Sequence, residues 1–138
     1  MFLLDTNVLS AMMNDIPSVV ADWLVGTPQR FVYTASICQA EILAGITALP
    51  NGRRRNQLET TARTMFGEDF NDKIWPFDSA AAEGYAEIFA ARRRVGRHTK
   101  PTDLMIAAIA LSRDAAVVTR NVGDFDGCGV TVINPWDD

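Results

Sequence analysis

Four carboxylates interrupt or border apolar sequence: Asp5 closes the run "FLLD", Glu41 lies within "SICQAEILAG", Asp103 opens "DLMIAAIAL", and Asp124 follows a strand end in "TRNVGDF". Each has an ordinary structural explanation. A carboxylate in a helix's first turn answers the helix dipole, an aspartate after a strand forms a turn, and a glutamate on a helix can face water. Together they support a chemical reading. If they converge in a partly dry cleft, their like charges raise one another's pKa unless a cation neutralises them. Oxygen donors without histidine or cysteine select magnesium or manganese over zinc, and such an ion activates water for attack on a phosphodiester. Asn7 and Thr119 stand beside these acids in sequence. They either orient the carboxylates and their waters or simply cap a helix and finish a strand.

Other chemistries have less to draw on. His98 is the only histidine, which leaves no multi-histidine metal site and makes any Ser-His-Asp triad depend on one residue in a polar segment. Cys38 and Cys128 are far apart and lack a Cys-x-x-Cys spacing, so they read as small core residues rather than as a disulfide or zinc framework.

The elements that must position the acids are short strands and longer helices. Runs rich in β-formers cover Phe2 to Asp5, Phe31 to Thr34, Ile74 to Phe77, Ala116 to Thr119 and Thr131 to Ile133. Helical patterns cover Ser18 to Val25, Ser36 to Ala48 with Ser36 and Gln39 at capping-box spacing, and Arg53 to Phe66 after Asn51-Gly52. Two more run from Ser79 to Val95, ending at Gly96, and from Thr102 to Asp114, with Thr102 as N-cap behind Pro101. Strands alternating with helices predict an α/β fold with a mostly parallel sheet covered on both faces. Ligands of such sheets bind beyond the carboxyl ends of the strands, and the acids fall there or on helices entering that edge.

With 138 residues, 48% of them apolar and 22% charged, the chain suits one domain over 1–138. No apolar run reaches membrane-spanning length and no leader pattern opens the chain, so the expected location is cytoplasmic. The net charge of −4, from 17 acidic and 13 basic residues, argues against wholesale nonspecific binding to nucleic acid. Its distribution leaves room for a local phosphate-facing surface. Arg53, Arg54 and Arg55 form one basic cluster; Arg92, Arg93, Arg94, Arg97 and Lys100 form another, just before Asp103. The first is expected to be a solvated face paired with acids such as Glu59, and the second is weighed evenly between that and RNA backbone contact. Trp23, Trp75 and Trp136 are expected in the core or at an interface.

The motifs "LLDTN", "AEILAG" around Glu41, "TDLMIAAIA" around Asp103 and "VVTRNVGDF" resemble, in order and over essentially the whole chain, those of PIN-domain ribonucleases. The resemblance is strongest to the VapC toxins of type II toxin-antitoxin pairs, and "LPNGRRRNQL" and "VINPW" are most similar to the branch containing the toxin FitB. It implies a three-layer α/β/α sandwich with a central twisted sheet, and RNA cleavage dependent on magnesium or manganese. Inhibition would come from a cognate small DNA-binding antitoxin that often places a basic side chain among the acids, within a hetero-oligomer or alongside a homodimer. It assigns Asp5, Glu41 and Asp103 as catalytic, with the metal held through Asp5 and Asp103 and Glu41 assisting as ligand or base. Close relatives carry an acid where this chain has Asn121, three residues before Asp124. Either Asn121 acts there through its amide or a water, or Asp124 supplies the charge.

Competing classes are separable by residues. A haloacid-dehalogenase phosphotransfer site wants an aspartate where Asn7 stands, and a receiver domain wants an early acidic pair and a late lysine that this chain lacks. A PIN-like module that acts only by binding antitoxin or nucleic acid remains the alternative, because of Asn121.

Overall fold

The apolar runs assemble into one parallel sheet. The computed structural model describes residues 1–137; Asp138, the end of the expected domain, lies outside the described residues. Strand β1 (Phe2–Leu4) pairs with β2 (Val32–Ala35) on one side and β4 (Ala116–Val118) on the other. Strands β3 (Ile74–Trp75) and β5 (Val132–Ile133) extend the sheet outward, giving the order β3-β2-β1-β4-β5. Asp5 and Thr119, expected as last residues of their strands, fall one position beyond the ladder. Leaving the pleat frees both side chains to turn toward the sheet's edge.

Six α-helices connect and flank the strands: α1 (Thr6–Met13), α2 (Ser18–Val25), α3 (Ser36–Thr47), α4 (Arg53–Thr64), α5 (Ser79–Arg94) and α6 (Pro101–Ser112). The arrangement is the expected α/β/α sandwich. Helix α1 carries no boundary signal of its own in the sequence, because Asp5 ends the strand and caps the helix at once; its Oδ1 accepts from the Thr6 N–H at 2.8 Å.

Three helix ends differ from expectation. In α3 the capping box does not form: β2 runs through Ala35 straight into the helix, Ala35 is the N-cap, and Ser36 already lies inside the first turn. Helix α6 begins at Pro101, with Lys100 rather than Thr102 at the N-cap. Proline suits the first helical position because it lacks the N–H that would go unpaired there. Helix α4 stops at Thr64 and widens into a π turn, Met65–Asp69, with Phe70 N–H donating to the Met65 carbonyl at 2.9 Å. That wider turn keeps Met65, Phe66 and Phe70 all buried. Helix α5 ends as expected before Gly96, whose φ of 72° relieves the strain a side chain would meet.

The core explains why the edge is rigid. Leu3, Leu4, Val117 and Val118 are fully enclosed, and α6 buries Leu104 and every residue from Ile106 to Ala110. Each enclosed Leu, Ile or Val contributes about 1.5–3 kcal/mol. Trp75 is buried, stacked on Tyr33, while Trp23 meets Phe2 edge-on and is half-buried. Among the described residues no single helix is long and apolar enough to cross a membrane. The strand order reverses between β1 and β4, which places the sheet's crevice at Asp5 and Thr119.

Candidate active site

Asp5 is the floor of that crevice, 6% exposed at the end of β1. Thr119, fully buried past β4, donates its hydroxyl to Asp5 Oδ2 at 2.8 Å across the crevice. Thr119 Oγ1 in turn accepts from Asn7 Nδ2 at 3.0 Å and from the Asn121 N–H at 3.1 Å. Asn7 also accepts from the Arg120 N–H at 3.1 Å and reaches Asp5 Oδ2 at 3.4 Å. Both functions considered for these residues therefore separate cleanly: Asp5 caps α1, while Asn7 and Thr119 hold the carboxylate and the turn after β4.

Glu41, on α3, is exposed at the rim, and Thr6 donates its hydroxyl to Glu41 Oε1 at 2.7 Å. Thr6 escaped the sequence reading, although it lies inside "LLDTN". Asp103 is half-buried in the first turn of α6, and Asp124 is exposed on a short 3-10 turn, Val122–Phe125. Asn121 precedes that turn, with its side chain making no capping bond.

The electrostatics show convergence. Burial pushes the Asp5 carboxyl above its usual range; bonds from Thr119 and Thr6 oppose the rise, and the charges of Glu41 and Asp124 add to it. Asp103 is pushed up to about 6, first by burial, then by Asp124, Asp5 and Glu41, with Lys100 pulling the other way. All four acids thus share one field. The buried Cys38 thiol, 4.0 Å from Asp5 Oδ1, is pushed up to about 12, chiefly by burial, so it stays neutral below the site.

A hard divalent ion fits this donor set on chemical grounds: the carboxylates of Glu41 and Asp124 add charge at both Asp5 and Asp103, Lys100 opposes it at Asp103, and the four are oxygen donors. Among the described residues no group of three or more acids, thiols or imidazoles stands close enough together to hold a metal ion by itself.

The basic clusters divide. Arg55 pairs with Glu59 at 3.0 Å, as expected of a solvated face. In the second cluster Arg93, Arg97 and Lys100 are exposed, but Arg92 is buried, which corrects its expected place on an open RNA-facing surface. Arg92 is one of the buried residues of α5, and its Nη1 lies against Gly127.

Thr119→Val is expected to lower stability by about 1–3 kcal/mol, because it strands the Asn7 amide, the Asn121 N–H and an Asp5 oxygen together. Urea unfolding of the two proteins measures this, and an unchanged midpoint would show that the bond network is not under tension from burial.

The geometry agrees with the comparisons. A family model described as PIN domain matches residues 2–126. The toxin FitB of Neisseria gonorrhoeae is 35% identical, over 100% of both chains. A VapC ribonuclease, Y4jK of Sinorhizobium fredii, is 30% identical over 99% of each. The solved structure of FitAB bound to an IR36 DNA fragment superposes with a TM-score of 0.93 at 34% identity, covering 100% of this chain and 97% of that one.

Proposed function

Because this chain belongs to the PIN-domain family, we propose that it is the toxin of a toxin-antitoxin pair, a cytoplasmic ribonuclease hydrolysing RNA phosphodiester bonds with magnesium or manganese. The PIN domain is taken to span the whole of 1–138. The observation that carries the reading is the shared field of Asp5, Glu41, Asp103 and Asp124 at the switch point of the sheet. Relatives named as a toxin and as a ribonuclease support it.

Asp5 and Asp103 would hold the ion, whose chemistry when bound is to make water more acidic and to neutralise phosphate charge. Asp5 is kept in one orientation by Thr119 and the Thr6 N–H. Glu41, steadied by Thr6, is placed at the rim to accept the proton of the attacking water. Asp124 fills the fourth position, because its charge reaches both Asp5 and Asp103. Asn121 contributes through its backbone N–H, which donates to Thr119.

The solved FitAB complex supports a small DNA-binding antitoxin as partner. A basic side chain from that partner among the acids would pair charge with charge and displace the ion.

Purified protein incubated with RNA should cleave it with magnesium or manganese and stop with chelator. Either ion should also raise the melting temperature of the chelated protein by a few degrees, since it binds only the folded state. Cleavage indifferent to chelator, or an unchanged melting temperature with millimolar ion, would reject the metal site.

A further inference from the structure

Arg120 stands exposed in the turn after β4, directly following Thr119, whose hydroxyl holds Asp5. An exposed arginine ordinarily samples many rotamers, but this one is fixed at both ends. At its base, the Arg120 N–H donates to Asn7 Oδ1 at 3.1 Å, and Asn7 Nδ2 donates to Thr119 Oγ1 at 3.0 Å. At its tip, the guanidinium lies over the Trp136 ring, 5.5 Å from the ring centre. Trp136 is half-buried against the core, and its backbone N–H donates to Asn134 Oδ1 at 2.9 Å. A cation resting on an indole is restrained without being neutralised, because the ring offers a quadrupole and no net charge. Among the described residues the arginines in ion pairs are Arg55, Arg97 and Arg113. Arg120 is not one of them, although Asp124 follows it in the same loop.

The sheet decides where this cation stands. Strands β4 and β5 run parallel with Val118 opposite Ile133, and the Thr119 N–H donates to the Ile133 carbonyl at 2.9 Å. Arg120 and Trp136 therefore both leave the sheet by its carboxyl edge, the edge that carries Asp5. In the strand order β4 and β5 lie to one side of β1, and β2, which leads into the helix of Glu41, lies to the other. Arg120 and Glu41 thus flank Asp5 from opposite sides. A single strand of nucleic acid crossing the crevice with one phosphate at Asp5 brings a neighbouring phosphate over the β4 side. Arginine's planar fork matches phosphate oxygens, and stacking on a ring leaves its in-plane N–H donors free for them.

We propose that Arg120 is a substrate-binding residue, holding an RNA backbone phosphate next to the one that is cleaved, with Trp136 keeping its guanidinium in place. The proposal rests on the ribonuclease reading. The test compares Arg120→Gln, which removes the charge, Arg120→Lys, which keeps charge but loses the fork, and Trp136→Leu, which removes the platform. Binding of a labelled single-stranded RNA is read by anisotropy in chelator at several salt concentrations, and cleavage of the same RNA with magnesium or manganese gives kcat and KM. Arg120→Gln should weaken binding about tenfold and flatten the logarithmic salt dependence by about 0.7, the loss of one phosphate contact. Arg120→Lys should keep the slope and recover part of the affinity, and Trp136→Leu should weaken binding at an unchanged slope. In Arg120→Gln KM should rise while kcat holds, since the contact is made equally to substrate and transition state. Because the side chain is exposed, both Arg120 variants should melt within a few degrees of wild type, and they carry the test should Trp136→Leu not fold. Binding and salt slope equal to wild type in Arg120→Gln would overturn the proposal. So would a fall in kcat at unchanged KM, which marks a residue that only shapes the Thr119 turn. If wild type cleaves with neither ion while RNA binding stays sensitive to Arg120, the contact stands and the ribonuclease reading falls.

Discussion

Asp103→Asn is expected to lower RNA cleavage by about 10³-fold while making the metal-free protein more stable at neutral pH. Both effects come from the same charge. Asp103 is pushed up to about 6 by burial first and by Asp124, Asp5 and Glu41 after it. Its folded value therefore lies above the unfolded one, so the group stabilises the fold below the unfolded value near 4, and that contribution is lost as pH rises through about 6. At neutral pH the carboxylate is ionised, and folding holds it near three others. Asparagine keeps the shape and removes the charge. Because Asp103 is only half-buried, solvent screening reduces the gain to the order of 1 kcal/mol, roughly 3–5 °C for a chain of this size. Urea midpoints measured in chelator at pH 5 and pH 8 should show the two proteins diverging as pH rises. Equal midpoints at both values would mean that the acids do not share a field, and retained cleavage would remove Asp103 from the chemistry.

Phe125→Ala is expected to lower stability by about 3–5 kcal/mol. For a chain whose whole stability falls in the range of about 5–15 kcal/mol, this brings it close to unfolding. Phe125 is 1% exposed and among the largest fully buried side chains. It ends the 3-10 turn that carries Asp124, between β4 and β5, and that turn has few backbone bonds of its own. The ring is what pins it. Removing the ring leaves a cavity and loosens Asp124, so cleavage per folded molecule should fall as well. Phe125→Leu, which keeps most of the volume, should recover most of both losses, whereas Asp124→Asn should reduce cleavage with little change in urea midpoint. A Phe125→Ala loss smaller than about 1 kcal/mol would show that the turn is held by something else.

Some of this was legible from residue order alone. Alternating short apolar runs and helical patterns specify strands and helices because the pleat and the helix repeat with different periods, and that difference survives without any tertiary contact. Asp5, Glu41 and Asp103 stood out for a related reason: a charge in an apolar stretch must face an edge, a partner or an ion. The start of α6 was misplaced because capping depends on where backbone N–H groups fall, and Pro101 needs no cap where Thr102 would have supplied one. Tertiary structure alone decided the rest. That Thr6 bonds Glu41, that Thr119 bonds Asp5 across the switch point, that the charge of Asp124 reaches Asp5 and Asp103, and that Arg92 turns inward while Arg93 does not are outcomes of packing between segments distant in the chain. Local pattern sets which groups a helix or strand presents; only the meeting of elements sets which of those groups lose water and find, or lack, a partner.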